Sequence, residues 1–292
     1  MTLPPATEAT ALVPEPPHQQ TQQETEQAPT LGGITYLQAG AGAVPVLFLH
    51  GVGGLARQWG PQLDGFAAEG FRALAWDMPG HGGSAPLELV TMDALAATLG
   101  AFIAELQLDR PVLVGHSMGG MVAQRLLSVQ PHAARALVLA QTSAAFGAKD
   151  PAWEEAFVRT RLGPLDAGMS MADLAEGAVA ELLGPNPDPA GVALARDCFA
   201  HVPAPSYRDT VLALRGFDAR DALGRIAVPT LLLAGEHDTT APPAGMERMA
   251  GRVPGARFAV LPGAGHLAHL EQPDSWRAAV VGFLRDTDGL LP

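Results

Sequence analysis

Apolar residues fall along this chain in short continuous runs, separated by longer stretches in which they recur every three to four positions. The runs, between Ile34 and Gly263, are ITYLQAG, VPVLFLH, FRALAWD, PVLVGH, ALVLAQT, TLLLAGE and ARFAVLPG. The last six are nearly unbroken in hydrophobicity, the pattern of strands buried on both faces of a parallel sheet. Between them, MDALAATLGAFIAELQL puts Leu95, Leu99, Phe102, Ile103 and Leu106 on one stripe of a helix. MGGMVAQRLLSVQ and QPDSWRAAVVGFLRDT predict two more helices, the second with Pro273 in its first turn. Strands alternating with helices predict an α/β fold with a mostly parallel central sheet flanked by helices.

One region breaks the rhythm. Residues 146–223 carry helical patterns, several arginines and a Pro-rich break, GPNPDP, but no strong strand signal. They read as a helical cap inserted before the last two strands, which leaves 31–145 and 224–292 as the core. Residues 1–30 are rich in Pro, Gln, Thr and Glu, too polar to offset the entropy of ordering, and are expected to form a disordered tail. The first Lys or Arg is Arg57, and no long apolar h-region precedes it, so no signal peptide is expected. There is no internal repeat.

Composition narrows the partners. The chain has 292 residues, 48% of them hydrophobic, enough for a sizeable core in one or two domains. No apolar run approaches the roughly 20 residues of a membrane span. A net charge of -12 with 18 Lys and Arg repels phosphate backbones and anionic lipid, so neither nucleic acid nor a membrane is an expected partner. The single cysteine, Cys198, excludes an internal disulfide and fits a reducing cytoplasm. It lies in an apolar helical stretch and reads as a small buried residue.

The chemistry centres on Gly115-His116-Ser117-Met118-Gly119, a G-x-S-x-G pattern set between a strand and a helix. In that context the serine sits on a sharp turn at a helix N-terminus, its glycine neighbours leaving room for the backbone, and Ser117 reads as a nucleophile. Its base should be a late histidine. His266, in the Gly-rich loop after the last strand, is favoured, with His269 as a rival. The acid should lie between them in the chain. Asp238 is favoured over Glu236, which stands closer to the strand end and has a shorter reach. The order Ser117, Asp238, His266 suits acyl transfer. An oxyanion hole needs two backbone N–H groups. Met118 supplies one, and the loop HGVGG (His50 to Gly54) supplies the other, from Val52. His50, His81 and Asp77 read as structural. The spacing of His266 and His269 lacks carboxylates at matching distance, so no metal site is expected, and the chemistry needs no cofactor.

Together HGVGG, DMPGHGGS, GHSMGG, GEHDTTAPP and GAGHLAHLEQPD resemble the motif set of the α/β-hydrolase superfamily, from about residue 32 to the end apart from the cap. The resemblance implies the α/β-hydrolase fold and a Ser-His-Asp mechanism. GHSMGGMVAQRLL, LVLAQTSAAFG with Trp153, and SYRDTVLALRGFDARDALGRIAVPTLLLAGEHDTTAPP are similar to the 3-oxoadipate enol-lactonase branch. In that branch the cap carries a Trp and an Arg near the substrate carboxylate, which implies Trp153 with Arg159 or Arg161 as substrate-binding residues. GPNPDP departs from the branch, as does Met78-Pro79, where an Arg is more usual. The expected function is a serine hydrolase cleaving a small carboxylic ester or lactone through an acyl-enzyme. A carbon–carbon bond hydrolase of ring-cleavage products, a cofactor-free perhydrolase and a non-catalytic ligand receptor share these motifs and stay open. Epoxide hydrolases and dehalogenases attack with Asp, where this chain has Ser117, and are disfavoured.

Overall fold

The alternation of side chains along a strand explains how a continuous apolar run serves two cores. In the computed structural model, β3 (Pro45–Leu49) is buried along its whole length. Val46 and Phe48 face a core containing Trp59, Phe66 and Trp276. Leu47 and Leu49 face the opposite core, with Trp76, Leu95 and Val122. A strand that feeds two cores has no polar face to show water, which is why the run reads as unbroken.

The structure describes residues 27–147 and 150–287. The remaining strands are β1 (Gln27–Leu31), β2 (Ile34–Ala39), β4 (Arg72–Trp76), β5 (Val112–His116), β6 (Ala136–Ala140), β7 (Thr230–Gly235) and β8 (Arg257–Leu261). They form one sheet in the order β1-β2-β4-β3-β5-β6-β7-β8. From β4 to β8 neighbouring strands are parallel, while β1 and β2 close one edge antiparallel. The expected tail lies outside the described residues except for 27–30, which join β1, with Gln27 opposite Leu37. A strand added at a sheet edge is held by main-chain hydrogen bonds, and composition does not register those.

Helices α1 (Gly60–Ala68) and α10 (Pro273–Arg285) cover the first face of the sheet. Helices α2 (Met92–Glu105), α3 (Met118–Val129) and α8 (Pro243–Ala250) cover the second. Among the described residues four α-helices lie between β6 and β7, α4 (Pro151–Asp166), α5 (Met171–Ala180), α6 (Pro189–Ala200) and α7 (Ala204–Ala213). They share a third core that includes Leu162, Val179, Phe199 and Val211 and reaches Leu267 and Leu270 of the main body. The one-turn helix α9 (Ala268–Glu271) links this core to α10. Polar caps start several of these helices. Asp150 accepts from Ala152 and Trp153, Asp188 from Ala190 and Gly191, and Ser170 and Asp173 form a reciprocal capping box. Each such cap is worth about 1 kcal/mol. Among the described residues no helix is long and apolar enough to cross a membrane.

The strand order places the site. The chain runs from β3 outward to β4, then returns to set β5 on the other side of β3. The loops after β3 and β5 therefore diverge to opposite faces and leave a crevice at the carboxyl ends of these strands, where open α/β sheets bind ligands.

Candidate active site

Ser117 is the residue between β5 and α3, and its backbone is strained, with φ 51° and ψ -120°. A non-glycine residue in that region costs on the order of 1–3 kcal/mol, so its surroundings must hold it there. They do so through its own backbone. The Ser117 N–H donates to the Ala140 carbonyl at 3.0 Å, and its carbonyl accepts from Gly120 N–H at 3.0 Å and the Thr142 hydroxyl at 2.6 Å. The flanking glycines are required by space. A Cβ on Gly119 would lie 2.3 Å from the Leu49 carbonyl oxygen, and one on Gly115 would lie 2.5 Å from the Gly120 Cα. Helix α3 thus starts almost in contact with the end of β3, and Ser117 stands above both.

Asp238 and His266 come from the loops after β7 and β8. Asp238 is buried and divides its oxygens. Oδ1 accepts from the Thr240 and Ala241 amides at 2.8 and 2.9 Å, and Oδ2 lies 2.8 Å from Nδ1 of His266. Burial pushes the Asp238 pKa up, but His266 and the two amides outweigh it and hold the carboxyl below its ordinary range. An ionised carboxylate only accepts, so Nδ1 of His266 carries the proton shared with it, and Nε2 is the ring nitrogen left for other partners. Ser117 and His266 line the same cavity, of about 310 Å³. The backbone N–H of His266 donates to Leu182 at 2.7 Å, fixing the histidine loop to the segment between β6 and β7.

The rivals sit elsewhere. His269 is fully buried, stacked on Trp59 at 4.3 Å, with Nε2 at 3.1 Å from Gln58. Burial pushes its pKa far down, so it is neutral and enclosed. Glu236 accepts from Gly263 N–H at 2.7 Å and lies 3.7 Å from His237 Nε2. His50 is also structural. The Met78 amide donates to its Nε2 at 2.9 Å, so its Nδ1 donates to Gly51 O, and burial pushes its pKa down to about 4. His81 is buried beside it, pushed down to about 3, chiefly by burial. Asp77 holds the Ala56 amide at 2.8 Å and the Thr35 hydroxyl at 3.1 Å. Cys198 is buried in α6, which pushes its thiol up to about 12.

Val52 lines the cavity, and Met118 is the first residue of α3, where the helix leaves its N–H without an internal partner. Met118 follows Ser117 in the chain, and Gly51, the residue before Val52, packs close to it, since a Cβ on Gly51 would come within 2.9 Å of the Ser117 Cβ.

Of the three side chains implied for substrate binding, Trp153 and Arg161 line the cavity and Arg159 does not. The two arginines are two residues apart on α4, so they point about 200° apart around the helix, and Arg159 is left exposed. Phe146, Trp153 and Phe157 make an aromatic wall with ring centroids 4.9–5.6 Å apart.

Two contributors have little sequence signal. His116 is buried, its Nε2–H donating to the His266 carbonyl at 2.8 Å, and burial together with His266 pushes it down to about 3. Glu271, 3% exposed, accepts from the amides of Gly265 and Leu267, on either side of His266, and from Gly184. The one trace of it in the sequence is a single carboxylate in the mixed stretch HLAHLEQP.

A family model described as alpha/beta hydrolase fold matches residues 44–273. The chain is 32% identical over 221 residues to polyketide synthase ThaQ of Burkholderia thailandensis, which is 73% of this chain and a tenth (10%) of that protein. It is 26% identical over 246 residues to 3-oxoadipate enol-lactonase 1 of Acinetobacter baylyi, covering 83% of this chain and 89% of that one. Among solved structures, a thermophilic esterase from Thermogutta terrifontis superposes with a TM-score of 0.79 at 29% identity, over 89% of this chain and 94% of that one.

Proposed function

The chain belongs to the alpha/beta hydrolase fold family, and from that premise we propose that it is a serine hydrolase that cleaves a small carboxylic ester or lactone through an acyl-enzyme. One observation carries the reading. The buried Asp238 carboxylate meets Nδ1 of His266 at 2.8 Å, and that imidazole shares a cavity with a serine on a strained strand-to-helix turn. Relatives named as an esterase and an enol-lactonase point to the same chemistry.

The proposed sequence of steps uses the groups this cavity brings together. The Ser117 Oγ attacks the acyl carbon while the His266 Nε2 lone pair takes its proton, and Asp238 steadies the imidazolium. Negative charge develops on the carbonyl oxygen, where the Val52 and Met118 N–H groups stabilise it at the N-terminus of α3. His266 then gives its proton to the leaving oxygen, which stays tethered if the substrate is a lactone. Water, deprotonated by the same nitrogen, attacks the acyl-enzyme, and the proton returns to Ser117 as the acid departs. The four helices between β6 and β7 act as the cap that encloses the acyl group.

The test is a panel of aryl esters and lactones on the wild type and Ser117→Ala, with a fluorophosphonate probe. The variant is expected to lose labelling and at least about 10³-fold in kcat. Retained activity or labelling in Ser117→Ala overturns the assignment.

A further inference from the structure

Among the described residues one Arg or Lys lines the cavity, and that cation is already answered. Among the described lining residues Arg161 is the only Arg or Lys, and there is no Asp or Glu. Its guanidinium lies 3.1 Å from the Glu181 carboxylate and 5.4 Å from the Phe157 ring centroid. The arginine's side chain is 23% exposed, and that of the glutamate, at the end of α5, is 64% exposed. Glu181 therefore meets Arg161 from the solvent side, while the cavity receives the flat, ring-backed cation with its charge matched. The rest of the wall is largely apolar, with Phe146, Trp153, Phe199, Val211 and Leu267.

Resting on the hydrolase reading above, we infer that this cavity selects substrates with an uncharged acyl group, and that Glu181 sets the selection by neutralising Arg161. A substrate carboxylate seated on the guanidinium would have to displace Glu181 or lie beside it. Two like charges about 5 Å apart repel strongly even at an effective dielectric near 20. Displacement would give up one ion pair to make another, with no net gain in charge pairing. An uncharged acyl chain meets neither cost and covers the aromatic wall. Arg161 alone would favour a carboxylate-bearing lactone, and its pairing with Glu181 reverses that preference.

The experiment compares two aryl esters of equal length. One is the monoester of a five-carbon dicarboxylic acid, and the other is its ω-amide. The wild type is expected to favour the amide by about 10-fold or more in kcat/KM. Glu181→Gln frees the guanidinium and is expected to raise the ratio of charged to uncharged ester by about 10-fold. Arg161→Met combined with Glu181→Gln should abolish that gain, showing that it passes through the arginine. A wild-type ratio at or above one overturns the inference without any variant. An unchanged ratio in Glu181→Gln overturns the role of Glu181 while the hydrolase reading stands. No turnover of either ester by the wild type would sink the hydrolase reading and take this inference with it.

Discussion

Glu271 accepts four hydrogen bonds from three amides. Gly184 donates at 2.6 Å, Gly265 at 3.1 and 3.0 Å to the two oxygens, and Leu267 at 2.9 Å. Burial pushes its carboxyl pKa up against the pull of these amides, so the group carries a desolvation cost that its hydrogen bonds offset. Glu271→Ala removes the acceptor and leaves the amides of Gly265 and Leu267 buried, while that of Gly184, at a partly buried contact, can turn to water. An orphaned buried N–H costs about 1–3 kcal/mol, and relief of the buried charge returns part of that. The expected loss is about 3 kcal/mol, within a typical total of about 5–15 kcal/mol, so the variant should fold. Glu271→Gln keeps one carbonyl oxygen but turns an NH₂ toward an N–H, and about half the loss is expected.

Urea unfolding followed by tryptophan fluorescence reads this, because Trp59 and Trp276 are fully buried near the loop. Kinetics supply the second readout. The orphaned amides flank His266, so the imidazole should lose its fixed position. A displacement of about 1 Å costs on the order of 10²-fold in rate, and the loss should fall on kcat with KM nearly unchanged. A stability loss under about 1 kcal/mol would refute the hydrogen-bond argument. A destabilised variant with wild-type kcat would refute the claim that Glu271 positions His266.

Two further outcomes follow from the same network. Acid should unfold the protein steeply below pH 6.5. His50, His81 and His116 are pushed down to about 4, 3 and 3, chiefly by burial, and His269 well below its ordinary value. Between those values and 6.5 the unfolded chain binds protons that the folded chain does not, so stability falls as pH falls, by about 1.4 kcal/mol per unit for each histidine. The raised carboxyls of Asp77 and Glu271 act in the opposite sense. Urea unfolding at pH 6 and pH 5 should therefore differ by about 3 kcal/mol or more, and a flat profile would show that the histidines are not buried as neutral groups. Asp238→Asn should keep its oxygen on the Thr240 and Ala241 amides and turn its NH₂ toward His266. Nδ1 must then accept, the proton moves to Nε2, and kcat should drop by about 10⁴-fold with the fold intact. A loss under tenfold would mean that the tautomer is not set by Asp238.

Strands β3 to β7 were legible because burial on both sheet faces leaves no polar alternation; β8, read the same way, is instead an edge strand with only Leu261 buried, because no described strand pairs with its outer side. The insertion before β7 was legible because the strand signal stops at Phe146 and resumes at Pro229. Ser117 stood out because a strained turn packed against another strand leaves room for glycine alone at 115 and 119. Strand β1 had no such mark, being held at an edge by its main chain. Asp238 was favoured over Glu236 from reach along the chain; what the chain order does not contain is that the Thr240 and Ala241 amides hold one Asp238 oxygen while the other lies 2.8 Å from His266 Nδ1. Arg159 and Arg161 were equivalent as letters, and helix phase separated them.

The sequence by itself determined the periodic features: which segments are strands, where the helical insertion falls, and which serine occupies a glycine-walled turn. These depend on neighbours a few residues away, so their causes lie within one stretch of chain. Tertiary structure alone decided the contacts between distant segments. His116 reaches the His266 carbonyl across 150 residues, Gln58 reaches His269 across 211, and Gly184 reaches Glu271 across 87. Glu181 lies 20 residues from Arg161, yet the pair forms because α4 and α5 both contribute to the third core. Hydrogen bonds and ion pairs are short-ranged, so they register distance in space, and a linear order of residues does not contain it.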